Sequence, residues 1–141
     1  MTSRLAVVAM LAAGAAFAAE ATDPTVKAWQ EAMGGGAGHA KTLGEMAKGA
    51  MAYDAAAAEA AKAALVAEAA AIPDLFRTQA SDPKSKAKAE IWANYADFEA
   101  KAKALGDAAA ALDTSSPETI GAGMAGVGGA CKACHETYRS S

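Results

Sequence analysis

The stretch 116–139, SPETIGAGMAGVGGACKACHETYR, decides how the rest of the chain is read. Ser116 is an N-cap acceptor, and Pro117 suits the first helical position, where a missing N–H costs nothing. Glu118 puts a negative charge at the positive end of the helix dipole, and no proline follows, so one helix is expected to run to about Arg139. Cys131, Cys134 and His135 stand at i, i+3 and i+4 and share a face of that helix. C-x-x-C-H is the attachment pattern of c-type haem: two sulfurs reach the porphyrin vinyl groups while the imidazole points at the iron. A disulfide between Cys131 and Cys134 leaves His135 without a role. A zinc site needs four ligands, and the sequence has one other histidine, His39, and no further cysteine. A thioredoxin-like pair needs a strand–helix setting. The motif therefore reads as a site for one covalent haem c, with His135 as axial iron ligand. The same helix spends Gly121, Gly123, Gly126, Gly128 and Gly129 in its interior, which is costly; room for the porphyrin plane is the expected reason, with close helix approach contributing.

Outward from this segment, punctuation marks three more helical stretches. Asp23-Pro24 opens the first, with Val26, Trp29, Met33, Leu43 and Met46 as apolar candidates; Gly34-Gly35-Gly36 predicts a kink, or a break with the helix resuming near His39. Asp54 caps a second, alanine-rich helix that Pro73 is expected to stop after Ile72. Residues 73–83 form the longest polar connection. A third helix is expected over Ser85–Leu112, because Ile91, Tyr95, Phe98, Ala102 and Leu105 advance by helical spacing along one face. Four helices with short connections predict an all-α, antiparallel up-down-up-down four-helix bundle. Alanine buries little area, so something large is expected to supplement the core.

Composition narrows the function. The 141 residues carry a net charge of −3, with 53% hydrophobic and 6% aromatic residues. Such a chain lacks the basic face of a nucleic-acid binder, is too apolar for disorder, and has too few β-branched and aromatic residues for a β-sandwich. Arg4 followed by the uncharged run Leu5–Phe17 and by Ala16-Phe17-Ala18 reads as a secretory signal peptide cut after Ala18, too short for a membrane anchor. The domain division is then 1–18 signal peptide and 19–141 haem domain. Loss of Arg4 lowers the net charge to about −4. Export, to the periplasm in a Gram-negative cell, agrees with haem attachment outside the cytoplasm. No membrane or nucleic-acid partner is expected.

Three segments together resemble cytochrome c' and its class II relatives: Cys131-Lys132-Ala133-Cys134-His135-Glu136-Thr137-Tyr138-Arg139, Ile91-Trp92-Ala93-Asn94 followed by Phe98, and Ala47-Lys48-Gly49 with Tyr53-Asp54-Ala55-Ala56. The similarity spans residues 24–139. It implies a periplasmic four-helix bundle, commonly a homodimer through its first two helices, with a high-spin five-coordinate iron in an apolar pocket that admits nitric oxide or carbon monoxide. Low-spin members place a first-helix methionine on the iron. Carried onto this chain, the resemblance implies Cys131 and Cys134 as thioether sites, His135 as proximal ligand, and Arg139 beside the proximal face, where it also suits a helix C-terminus. Glu90 falls at a position near the haem edge. The family pair Arg-Gln, which contacts the haem propionates, reads Trp29-Gln30 here, so Gln30 matches and the arginine does not. Met33 occupies the position facing the open side of the iron.

Sixth-ligand candidates by residue type are Met33, Met46, Met51 and His39, since Met124 lies about 16 Å along the helix from His135. Three functions follow: a five-coordinate gas-binding haem protein that also transfers single electrons to a redox partner; a low-spin electron carrier ligated by Met33; and an exported peroxidase, disfavoured because His39 is the one obvious distal acid–base group. A non-enzymatic role is expected.

Overall fold

The computed structural model describes residues 20–141; the expected signal peptide lies outside the described residues. Five helices follow in order: α1 Pro24–Ala47, α2 Ala55–Leu75, the single turn α3 Glu90–Ala93, α4 Tyr95–Ala110 and α5 Pro117–Tyr138. The long helices form the expected antiparallel four-helix bundle. α1 and α4 each neighbour both α2 and α5, so the four stand around a square.

The caps act as their residue types dictate. The Asp23 carboxylate accepts from Thr25 and Val26 N–H, and the Asp54 carboxylate from Ala57 N–H. Ser116 and Thr119 form a reciprocal capping box at the start of α5. Between α1 and α2 the chain turns at Gly49, whose φ of +73° is a left-handed conformation that favours glycine.

Three boundaries differ from expectation. α1 runs unbroken through Gly34-Gly35-Gly36. Gly35 and Gly36 let α2 approach: a Cβ on Gly35 would collide with the Glu68 carboxylate, and one on Gly36 would lie 3.4 Å from it and 3.7 Å from Leu65 Cδ1. Tertiary packing outweighs a helix propensity of about 1 kcal/mol per glycine.

α2 continues past Pro73 to Leu75. Three aromatic side chains take up the carbonyls of its final turn. Tyr95 Oη donates to Pro73 O, Trp29 Nε1 donates to Leu75 O at 2.7 Å, and Trp92 Nε1 donates to Phe76 O at 2.8 Å. A helix end whose free carbonyls are satisfied in this way has no reason to stop at the proline.

The third helix begins five residues late and is interrupted. Residues 85–88 are extended and pair with the chain end, through Lys88 N–H to Tyr138 O at 3.0 Å and Ser140 N–H to Lys86 O at 2.8 Å. Asn94 (φ −130°, ψ 46°) then separates α3 from α4.

The core divides into two halves. One half is aromatic, with Trp29 stacked on Phe76 at 4.6 Å and 11°, and Phe98 against both Phe76 and Tyr138. The other half is small and aliphatic, built on Leu43, Leu65, Leu112, Ile120, Val127 and interleaved alanines.

Of the α5 glycines, Gly121, Gly123 and Gly126 serve close approach in this second half, whereas a Cβ on Gly128 or Gly129 would meet open space. A Cβ on Gly121 would meet Ala47, one on Gly123 would lie 2.5 Å from Leu112 Cδ2, and one on Gly126 would lie 3.9 Å from Ala108 Cβ. Gly123→Ala is therefore expected to destabilise by about 1–3 kcal/mol, because buried Leu112 must repack. Gly126→Ala should stabilise by about 0.5–1 kcal/mol through helix propensity alone. Urea denaturation of the two variants checks the contrast, and equal effects would refute the close-approach account.

Candidate functional site

A cavity of about 390 Å³ opens in the aromatic half, between α1 and the end of α5. Val26, Trp29, Met33, Phe76, Ile91 and Phe98 give it an apolar wall; Cys134, His135, Tyr138 and Arg139 come from α5, and Ser85, Lys86 and Ala87 from the extended strap. The bulky residues that α1, α3 and α4 turn inward hold the helices apart here, where alanines elsewhere bring them together.

His135 is half-buried and lies in the last turn of α5. Burial, and then the neighbouring Arg139 charge, lower its pKa below the ordinary value, which favours the neutral imidazole, the form that ligates a metal. Cys134 lines the cavity and Cys131, one turn earlier, is half-buried beside it. Both thiols are unpaired, and burial pushes both up in pKa, with Lys101 opposing this at Cys134. That is the reverse of the lowered pKa of a thiol-redox pair. Neutral imidazole, two neighbouring thiols and an apolar hollow fit a covalently tethered haem.

Tyr138 fixes the end of α5. It is buried against Phe98 in an edge-to-face contact at 5.4 Å, and its hydroxyl donates to Asp97 Oδ2 at 2.5 Å. Burial first and Asp97 second push its pKa up to about 12.

Of the residues expected from sequence, Cys134, His135, Gln30, Met33 and Arg139 line the cavity, and Cys131 sits next to it. Gln30 Nε2 donates to Lys84 O at 3.1 Å, joining α1 to the strap. Glu90, expected near the haem edge, is exposed at the start of α3, 3.8 Å from Lys88 Nζ; its neighbour Ile91 lines the cavity and Glu90 does not. The other sixth-ligand candidates fall away from the cavity. Met46 is buried in the aliphatic half, Met51 is exposed, and His39 stands against Glu68 at 3.7 Å on the α1–α2 face.

Sequence reasoning missed the strap and what holds it. Lys84-Ser85-Lys86-Ala87-Lys88 alternates polar and small residues with the period of an extended strand, a signal that could have found it. Buried Asp82 anchors it: one carboxylate oxygen accepts from Thr22 N–H, Thr22 Oγ1 and Asp23 N–H at 2.7–3.0 Å, and the other from Lys84 N–H at 2.8 Å. These bonds hold its pKa far below the ordinary 3.8.

The fold and the site define a class of protein, a four-helix bundle whose last helix carries C-x-x-C-H beside an apolar hollow. A family model described as Cytochrome C' matches residues 24–139, and the chain belongs to the cytochrome c' family. It therefore carries covalently bound haem c. It is 42% identical over 104 residues to the cytochrome c' of Cereibacter sphaeroides, covering 69% of this chain and 70% of that one. It is 36% identical over 132 residues to the cytochrome c-556 of Agrobacterium fabrum, covering 92% and 87%. Among solved structures, a nitric oxide complex of a cytochrome c prime variant from Alcaligenes xylosoxidans superposes with a TM-score of 0.71 at 30% identity, covering 83% of this chain and 94% of that one.

The Asp82 anchor gives a pH-dependent prediction. A carboxylate whose folded pKa is lowered stabilises the fold above its unfolded pKa and loses that contribution as pH falls toward the folded value. Asp82→Asn is expected to lower the urea midpoint by a constant amount between pH 5 and 7. The gap to the parent protein should narrow once pH falls below 3.8; a gap unchanged in acid would refute the anchor.

Proposed function

We propose that this chain is an exported, periplasmic haem protein that binds diatomic gas at a high-spin five-coordinate iron and transfers single electrons. Cys131 and Cys134 supply the thioether bonds, and His135 is the proximal ligand. The observation that carries this reading is that His135 and the apolar side chains of α1 line one cavity. When bound, the haem supplies an iron that changes oxidation state by one electron and takes a diatomic ligand at its remaining position.

The chain's own residues set the terms. His135 offers its lone pair at neutral pH. Val26, Met33 and Phe76 line the cavity with carbon and sulfur, so water and anions find no partner there while an uncharged diatomic enters without a desolvation cost. Gly34 and Ala37 add small surfaces beside Met33, which leaves space on the α1 side. Gas binding by this chain is supported by the nitric oxide complex of the Alcaligenes relative. His39 lies outside the lining, so the cavity lacks the distal acid–base group that the peroxidase reading required.

A homodimer through α1 and α2 forms part of the proposal. Exposed Ala56, Ala60, Ala63, Ala67 and Ala70 leave an α2 face that a second copy can approach closely, and sedimentation of the holoprotein tests it.

One observation favours a second reading. Met33 is the sole methionine among the lining residues, which supports its thioether as the sixth ligand of a low-spin electron carrier. The ferrous absorption spectrum separates the two. The five-coordinate reading expects a broad, weak visible band that changes sharply with carbon monoxide, and Met33→Ala should leave the carbon-monoxide-free spectrum essentially unaltered. A sharp, strong α band that disappears in Met33→Ala would establish the six-coordinate carrier instead.

A further inference from the structure

The rim of the cavity has a charge pattern that its apolar wall does not require. Its lining residues include two cations, Lys86 and Arg139, and no aspartate or glutamate. A group that fits this cavity is thus apolar in its body and anionic at its exposed edge. Haem c has that form, with two propionate carboxylates on one side of the ring.

α1 does not supply the balancing cation. Position 29 is a tryptophan whose side chain is 3% exposed, stacked on Phe76 and committed through its indole N–H to Leu75 O. Gln30, next to it, is neutral and engaged with Lys84 O. The strap offers the alternative. Its backbone is held on three sides: by Asp82 at Lys84 N–H, by Gln30 at Lys84 O, and by the chain end at Lys86 O and Lys88 N–H. A fixed backbone presenting a long, exposed side chain places an ammonium at the mouth with its head in water, so the desolvation cost is small. Lys86 Nζ donates to Ser141 O, a solvent-exposed contact that a propionate carboxylate can displace.

We propose that Lys86, presented by the 84–88 strap, binds a haem propionate, so that the anionic edge of the cofactor is held by the strap and not by α1. The assignment rests on the cavity being the haem site. Reduction removes one positive charge from the iron, and a nearby cation favours the reduced form by Coulomb repulsion of the oxidised one. Lys86 therefore raises the midpoint potential.

The test is a spectroelectrochemical titration of haem-matured protein at low salt, comparing the parent with Lys86→Gln, Lys86→Arg and Lys84→Gln. Lys84 is exposed, two residues away on the same strap and outside the lining. The expected result is a lower midpoint potential in Lys86→Gln, its recovery in Lys86→Arg, and a smaller shift in Lys84→Gln. A potential unmoved in Lys86→Gln, or moved equally in Lys84→Gln, overturns the assignment while leaving the haem site intact. Failure of the parent to retain haem after denaturation in acid acetone would overturn the covalent site itself.

Discussion

The satisfaction of the last carbonyls of α2 is the interaction on which the rest of the structure depends. A helix end buried without partners for its free carbonyls loses about 1–3 kcal/mol per orphaned group. Here Tyr95, Trp29 and Trp92, from three different helices, each send one donor to that end. The same three rings are thereby fixed in orientation, and Trp29 and Trp92 lie 5.7 Å apart at a tilt of 39°. A hydrogen-bonding requirement of the backbone thus fixes the rings at the cavity: Trp29 lines it with Phe76 and Phe98, while Trp92 backs Trp29 and Tyr95 backs Phe98.

The two halves of the core divide the work of a bundle that must hold a large planar group. Alanine and glycine contacts in one half bring α1, α2, α4 and α5 close, where each approach gains dispersion contacts without bulky side chains to order. Aromatic residues in the other half hold the same helices apart. A straight bundle of alanines would close completely, and a bundle of aromatics would lack a close-packed base. The site sits where one regime gives way to the other, and the haem c of the family completes a core that alanine alone underfills.

Polar groups are placed by the same economy. The apolar wall is on the α1 side, the ligating imidazole on α5, and the charges at the rim on the strap and the helix terminus. Asp82 and Tyr138 do not enter the chemistry but hold the two segments that do: one bonds the strap to the start of α1, and the other bonds the last turn of α5 to α4 through Asp97. Iron reactivity in such a site is governed by what surrounds it, and the α1 side of this cavity carries Met33 among small residues, the residue on which the proposed choice between gas binding and electron carriage turns.

Much of this was legible in the residues. Capping acceptors at Asp23, Asp54 and Ser116, the helical spacing from Ile91 to Leu105, and the C-x-x-C-H run determined the bundle and the attachment face, because each is a local rule acting within a few residues. The unbroken α1, the passage of α2 through Pro73, the extended strap, and the separation of Met33 from Met46 and Glu90 were decided only by tertiary structure. In each case a partner distant in the chain reversed a local preference: Glu68 and Leu65 against the glycines, the indoles against the proline, Tyr138 and Ser140 against the third helix. Local energies of about 1 kcal/mol are readable in sequence until a buried hydrogen bond or a close packing contact of comparable size opposes them, and that opposition exists only once the chain has folded.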